Sequence, residues 1–309
     1  MTRHEVTGPV HRLWNPAHPP ALTVADGDEI AFAVLDASDA LFAPPATSAD
    51  IATFDWARLY PLVGPIWVHG AEPGDTVEVE VLDITAGAWG WTAVLPGFGL
   101  LADDFPEPHL HHWDLTDGKY ADFLGLARVP LRPFCGVMGV CPDTVEPLAV
   151  VPPGHFGGNI DCRDVSAGSR LFLPVQLPGA RLSIGDSHAA QGDGEVCGCA
   201  IEAPASAAVR IRLHKGRRIA GPQLQTPGPL RAGIDDAGYY ATMGVGPDLM
   251  AAARDAVRAM IDYLDSTYGV NPRDAYVLAS VAADLKISEV VDAPNWVVSA
   301  YLPLSIMTG

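Results

Sequence analysis

The clearest rhythm in the chain is the alternation of Val77, Val79 and Val81 with Glu78 and Glu80. A period of two puts one face of a strand in a core and the other in water. The segment follows the turn-forming run Glu72-Pro73-Gly74-Asp75 and closes on Leu82-Asp83. An earlier stretch repeats the plan, with Ala25-Asp26-Gly27-Asp28 leading through Ile30, Phe32 and Val34 to Leu35-Asp36. Two copies of a turn feeding a strand predict duplicated β units building a sandwich or barrel.

Short apolar runs bounded by Gly or Pro continue this reading at Leu126–Val129, Leu148–Val151, Arg170–Leu173, Arg181–Ile184 and Ala208–Leu213. Pro174 and Pro178 remove ladder donors, so their stretch is expected at an edge or as two strands broken by a turn. From Asp248 the period changes. Leu249, Ala253, Val257, Met260, Ile261, Leu264 and Tyr268 recur at three- and four-residue steps along one helical face, capped by Asp248 and ended by Gly269. Asn271-Pro272 starts a second helix, expected to run to about Asp284, and Trp296–Leu302 reads as a final strand. The fold class expected is mainly β, a sandwich- or barrel-like core with a C-terminal helical pair. It is read as one domain over 1–309, β-rich to about 220 and α/β over 238–309.

Composition narrows the function. Lys+Arg of 19 against Asp+Glu of 37 gives a net charge of −18 over 309 residues, which repels nucleic acid and anionic lipid. No apolar run is long enough to span a bilayer, and the first residues lack a secretory signal, so a soluble cytoplasmic protein is expected. Five cysteines, Cys135, Cys141, Cys162, Cys197 and Cys199, are odd in number and read as free thiols.

Reactive side chains concentrate between Gly157 and Glu202. Asp186 and His188, two residues apart, can meet one divalent metal from one face of an extended segment, with Asp161, Asp193, Glu195 and Glu202 near enough in sequence to complete the shell. Asp and Gly are also what turns are made of, so spacing alone leaves a surface loop as the alternative. No DxDxDG run with a closing glutamate marks a helix-loop-helix calcium site.

The string Gly-Asp-Ser-His-Ala-Ala-Gln-Gly-Asp-Gly-Glu-Val-Cys-Gly from Gly185 to Gly198 closely resembles the hallmark of the acetamidase/formamidase family. Further blocks resemble family segments in the family's order: Gly64-Pro65-Ile66 through Asp75, Pro96-Gly97-Phe98-Gly99, Gly157-Gly158-Asn159-Ile160-Asp161, and Asp284 through Ser299. The resemblance spans nearly the whole chain. It departs at Cys162-Arg163, at Cys199 and at Pro152-Pro153-Gly154-His155-Phe156, which bears on the substrate more than on the reaction.

The resemblance implies hydrolysis of formamide, acetamide or a similar short amide to carboxylate and ammonia, in a homo-oligomer; some relatives act on cyclic amides. The mechanism expected is a metal-activated water, with Asp161, Asp186 and His188 binding a divalent metal, zinc first and calcium second. Glu195 is the general base and Lys286 a further catalytic candidate, alternatively an ion-pair partner of Asp284 or Glu289. Gly158, Asn159, Gly192 and Phe98 are assigned to substrate binding, with backbone amides at Gly157-Gly158 or Gly192–Gly194 available to an oxyanion. Phe98 and Trp296 can wall a pocket or simply fill the core. The rivals are a thiol nucleophile, Cys162 or Cys197, the latter in an apparent apolar strand over Val196–Ile201, activated by His188 and a carboxylate or with Lys286 and Glu289 in a nitrilase-like role, and a non-catalytic sandwich that binds metal or sugar.

Overall fold

The computed structural model describes residues 1–227, 237–289 and 293–308, so Val290, Val291 and Asp292 of the last family-like block lie outside the described residues. Two six-stranded sheets form the larger part. The first runs Arg3–Val6, Glu29–Val34, Ala205–His214, Thr76–Ala86, Arg170–Pro174, Gln223–Gln225. The second runs Gly157–Asn159, Phe134–Val140, Leu182–His188, Leu62–Val68, Val10–His11, with Leu22–Val24 also paired to Leu62–Val68.

The duplicated turns do the same job in each copy. Asp28 accepts from the Ala25 amide and Asp75 from the Glu72 amide, each across a tight turn. The strands they feed, Glu29–Val34 and Thr76–Ala86, flank Ala205–His214 on its two sides. Val77, Val79 and Val81 are fully buried against Leu62, Ile66, Val137, Leu182 and Ile184 of the second sheet, which makes the sandwich. Each such side chain contributes about 1.5–3 kcal/mol by leaving water. The opposite face is drier than alternation predicts, because Glu78 is buried, pairing with His214 at 2.6 Å and facing Arg170.

A second core lies beside the first. Helix α1, Leu249–Tyr268, is capped by Asp248, whose side chain accepts from the Ala251 amide at 2.7 Å, and ends at Gly269 in the left-handed conformation. Helix α2, Pro272–Ala282, starts on the Asn271 cap. Both pack with the hairpin Trp89–Val94/His109–Asp114 and the three-stranded sheet Tyr239–Gly246, Trp296–Pro303, Asp284–Glu289. Among the described residues no helix is long and apolar enough to cross a membrane.

Local expectations are corrected at several points. The second helix ends at Ala282, and Asp284 opens a strand instead. Of the two alternatives for the Pro174–Pro178 stretch, two strands broken by a turn is the one found: Pro178 lies in the turn between Arg170–Pro174 and Leu182–His188. Arg170–Pro174 is internal, its outer partner pairing only with Arg170, Leu171 and Phe172, so Pro174 sits where that ladder needs no donor. The run Val196–Ile201 is buried turn and coil, not a strand, because Glu195 and Gly198 take positive φ. The structure also shortens the strand expected at Leu148–Val151 to Leu148–Ala149 and extends the one at Arg181–Ile184 to His188.

Candidate active site

The extended strand matters most, because it carries Asp186 and His188 out of the turn that composition allowed and into the second sheet. Phe134–Val140 pairs antiparallel with it, Cys135 opposite Ser187 and Val137 opposite Gly185, which sets Gly136 opposite Asp186. A Cβ on Gly136 would collide with Asp161 Oδ1 and lie 2.8 Å from Asp186 Oδ2 and from His188 Cε1. Glycine is therefore what leaves room for the Asp161, Asp186 and His188 side chains to converge. Its carbonyl also accepts from the Ile160 and Asp161 amides at 3.1 and 3.2 Å, which holds Asp161 over the same spot.

Asp161, Asp186 and Glu195 all have left-handed backbones, with φ of 42°, 54° and 44°. Such conformations cost non-glycine residues about 1–3 kcal/mol each and persist where the surroundings impose them. Asp161, Asp186 and His188 can each bring one ligand atom to within 4.8 Å of the others, and so can His188, Glu195 and Glu202. His188 Nδ1 donates to Gln191 Oε1 at 2.9 Å, and Gln191 Nε2 donates to the Asp161 carbonyl at 2.7 Å. The other ring nitrogen, Nε2, faces Glu202 Oε2 at 3.2 Å and Asp186 Oδ2 at 3.4 Å. Glu202 is placed by paired backbone hydrogen bonds with Trp91 and by the Ala200 amide on Oε1.

Asp161 Oδ1, Asp186 Oδ1, His188 Nε2 and Glu202 Oε2 are buried and make no hydrogen bond among the described residues. The electrostatics reflect the same crowding. Burial, then Asp186, pushes the Asp161 carboxyl up; burial, then Glu202 against the opposing His188, raises Asp186. Glu195 keeps some surface on the cleft, yet its carboxyl lies deep enough that burial, with Asp161, raises it well above the usual range. Burial opposes charge on His188, but Glu202 and Asp186 outweigh it and hold the imidazole well above its ordinary value.

The cluster lies at the seam of the two cores, and Tyr60 packs against both. An open cleft of about 570 Å³ reaches it past Asn159, Asp161, Glu195, Gly198 and Tyr60, and a compartment of about 220 Å³ adjoins it at Glu202. Phe98 lines both and is 41% exposed. Asn159 donates through Nδ2 to the Val151 carbonyl at 3.2 Å, while its Oδ1 has no hydrogen-bond partner among the described residues.

Other expected site residues are placed differently. Gly192 gives its amide to the Ser280 carbonyl, and a Cβ there would run into Ala283 O, so it serves close packing at the end of α2. Gly157 gives its amide to the Gly154 carbonyl, and Gly158 lies against the Phe156 ring. Lys286 is exposed, with Nζ 4.2 Å above the Tyr301 ring and lining neither cavity; the Glu289 side chain, its alternative partner, is outside the described residues. Trp296 is half-buried and lines neither cavity. Burial pushes the Cys197 thiol up to about 12, with Sγ against the Ala93 and Cys199 carbonyls, and burial also raises Cys162. Neither carries the thiolate character a nucleophile needs. Sequence reading overlooked Gly136, Tyr60 and Gln191 and kept Glu202 only as one acidic neighbour; Gln191 alone carried a signal, three residues after His188.

Comparison with known proteins follows the same lines. The Acetamidase/Formamidase family model matches residues 2–148 and 144–308. Formamidase of Methylophilus methylotrophus is 28% identical over 373 residues, covering 98% of this chain and 90% of that protein. Acetamidase of Mycolicibacterium smegmatis is 31% identical over 270 residues, 67% of this chain and 66% of that one. Among solved structures, the gamma lactamase from Delftia acidovorans superposes with a TM-score of 0.93 at 27% identity, covering 99% of this chain and 94% of that chain. The acetamidase from Bacillus halodurans superposes at 0.69 with 29% identity, covering 97% of both.

Proposed function

The chain belongs to the acetamidase/formamidase family, and on that premise we propose that it hydrolyses short-chain carboxamides to carboxylate and ammonia at the seam cluster. The observation that carries the placement is that Asp161, Asp186, His188 and Glu202 converge in one buried place, where Asp161 Oδ1 and Asp186 Oδ1 have no hydrogen-bond partner among the described residues and His188 Nε2 faces only the Glu202 and Asp186 carboxylates. Leaving a buried polar atom unsatisfied costs about 1–3 kcal/mol, so two such oxygens beside an imidazole crowded by carboxylates call for a ligand that satisfies them together.

A divalent cation fits that demand. Asp161, Asp186 and His188 offer two carboxylate oxygens and one imidazole nitrogen around the room that Gly136 leaves. The imidazole favours zinc over calcium, which prefers an all-oxygen shell. When bound, such an ion polarises a carbonyl and makes water more acidic.

The chain's own residues then do the following. Gln191 accepts from Nδ1 and so fixes the His188 ring with Nε2 toward the cluster, the nitrogen that would give up its proton to hold the ion. Asn159 Oδ1 accepts from the substrate's NH2 group and turns its carbonyl inward. Glu195 takes a proton from water as the water oxygen bonds to the carbonyl carbon, then gives it to nitrogen as the C–N bond breaks.

The test is ammonia release from formamide and acetamide, before and after chelation and zinc add-back. Release that disappears on chelation and returns with zinc is expected. Release indifferent to chelation overturns the cation and leaves the amidase; no release from any short amide overturns the proposal.

A further inference from the structure

Next to the cluster, the compartment of about 220 Å³ is walled by Trp91, Leu95, Leu59, Phe98 and Cys199, with Glu202 on its cluster side. Its back wall is rigid. The Trp91 indole is 2% exposed, donates to Asp36 Oδ2 at 2.9 Å and meets the Phe42 ring edge-on at 4.8 Å. The space is therefore preformed. Formamide and acetamide carry only a hydrogen or a methyl group on the acyl carbon and leave most of it unused. A dry apolar cavity of about 150 Å³ holds a benzene molecule, so this one has room for a ring.

We infer that the protein accepts carboxamides bearing a compact apolar ring on the carbonyl carbon, with the ring in this compartment and the carboxamide at Glu202 and the cluster. The inference rests on the amide-hydrolase reading above and extends its substrate class. Each methylene buried there is worth roughly a factor of four in binding, so kcat/KM for cyclohexanecarboxamide is expected at least about tenfold above that for acetamide.

The experiment compares the two amides on the wild-type protein and on Leu59→Trp, which fills the compartment from the half-buried turn after Trp56–Arg58. Calorimetric binding of cyclohexanecarboxamide is measured alongside. Preference for the ring amide, with its ratio to acetamide falling about tenfold or more in Leu59→Trp, supports the inference. Hydrolysis of acetamide with neither turnover nor binding of the ring amide overturns it and leaves the amidase reading intact. Hydrolysis of no amide, with ring-amide binding that shows a negative heat-capacity change and is lost in Leu59→Trp, overturns the amidase reading and keeps the compartment.

Discussion

Gln191 Oε1 accepts a hydrogen bond from His188 Nδ1 at 2.9 Å while the same amide's Nε2 donates to the Asp161 carbonyl. One side chain thus sets the tautomer of the histidine and the position of the loop that carries the first aspartate. Loss of a partner behind a metal-binding histidine lowers affinity by about 10- to 100-fold. Gln191→Leu is expected to lose zinc by about that factor in competition with a chromophoric chelator, with kcat/KM falling in parallel at limiting zinc. Unchanged zinc affinity would remove Gln191 from the positioning role.

Gly136 is the position where the smallest change should have the largest local effect. Gly136→Ala places a methyl group against Asp161 Oδ1, Asp186 Oδ2 and His188 Cε1. Overpacking of this kind costs about 1–3 kcal/mol, so the protein is expected to fold with a lowered Tm. Amide hydrolysis should fall by about 100-fold or more, because displacement of catalytic groups by an ångström has effects of that size. An active Gly136→Ala protein would show that the cluster is not where the chemistry occurs.

These two residues mark what sequence could and could not convey. Asp186, His188 and Glu195 stand out because reactive side chains crowd among glycines from Gly185 to Gly198, and the duplicated turns stand out because their strands carry a plain period of two. Gly136 gives no such signal: a glycine in an apolar run reads as a weak point of a strand, and only the register opposite Asp186 reveals its use. Glu202 reaches His188 through backbone pairing with Trp91, a long-range relation that periodicity does not encode. Lys286 stands out as a charge in an apolar block, yet it lies on the exposed part of an edge strand, where the ammonium rests on Tyr301.

The cluster also predicts how pH acts on the cation-free protein. Burial first, with neighbouring charges, raises Asp161 and Asp186 from 3.8 to about 7. The native state therefore binds more protons than the unfolded chain across that interval. This stability is fully present below 3.8 and is lost as pH rises through about 7. His188, held up by Glu202 and Asp186 against burial, has the same sign with its loss at a higher pH. Asp28, Asp75 and Asp104 are lowered, so their contribution is lost only on the acid side, below the ordinary carboxylate range. Chelated protein should melt higher at about pH 5 than at about pH 8, and zinc should flatten or reverse the trend by favouring the ionised carboxylates. A chelated protein that is more stable at the alkaline end would contradict the cluster's electrostatics.

Thiol chemistry separates the water mechanism from its main rival. Cys135 and Cys197 are fully buried, and burial pushes both thiols up to about 12, so little thiolate exists near neutrality. Cys162 is half-buried, follows Asp161 directly, and is also raised by burial. Iodoacetamide at neutral pH is therefore expected to spare Cys135 and Cys197 and to leave acetamide hydrolysis within about twofold, with alkylation mapped by mass spectrometry. Cys197→Ala should lose stability by about 1–2 kcal/mol through the small void it leaves while keeping kcat within a few-fold. Inactivation that tracks modification of Cys197, or a Cys197→Ala protein that folds normally but hydrolyses nothing, would transfer the reaction from the carboxylate cluster to that sulfur.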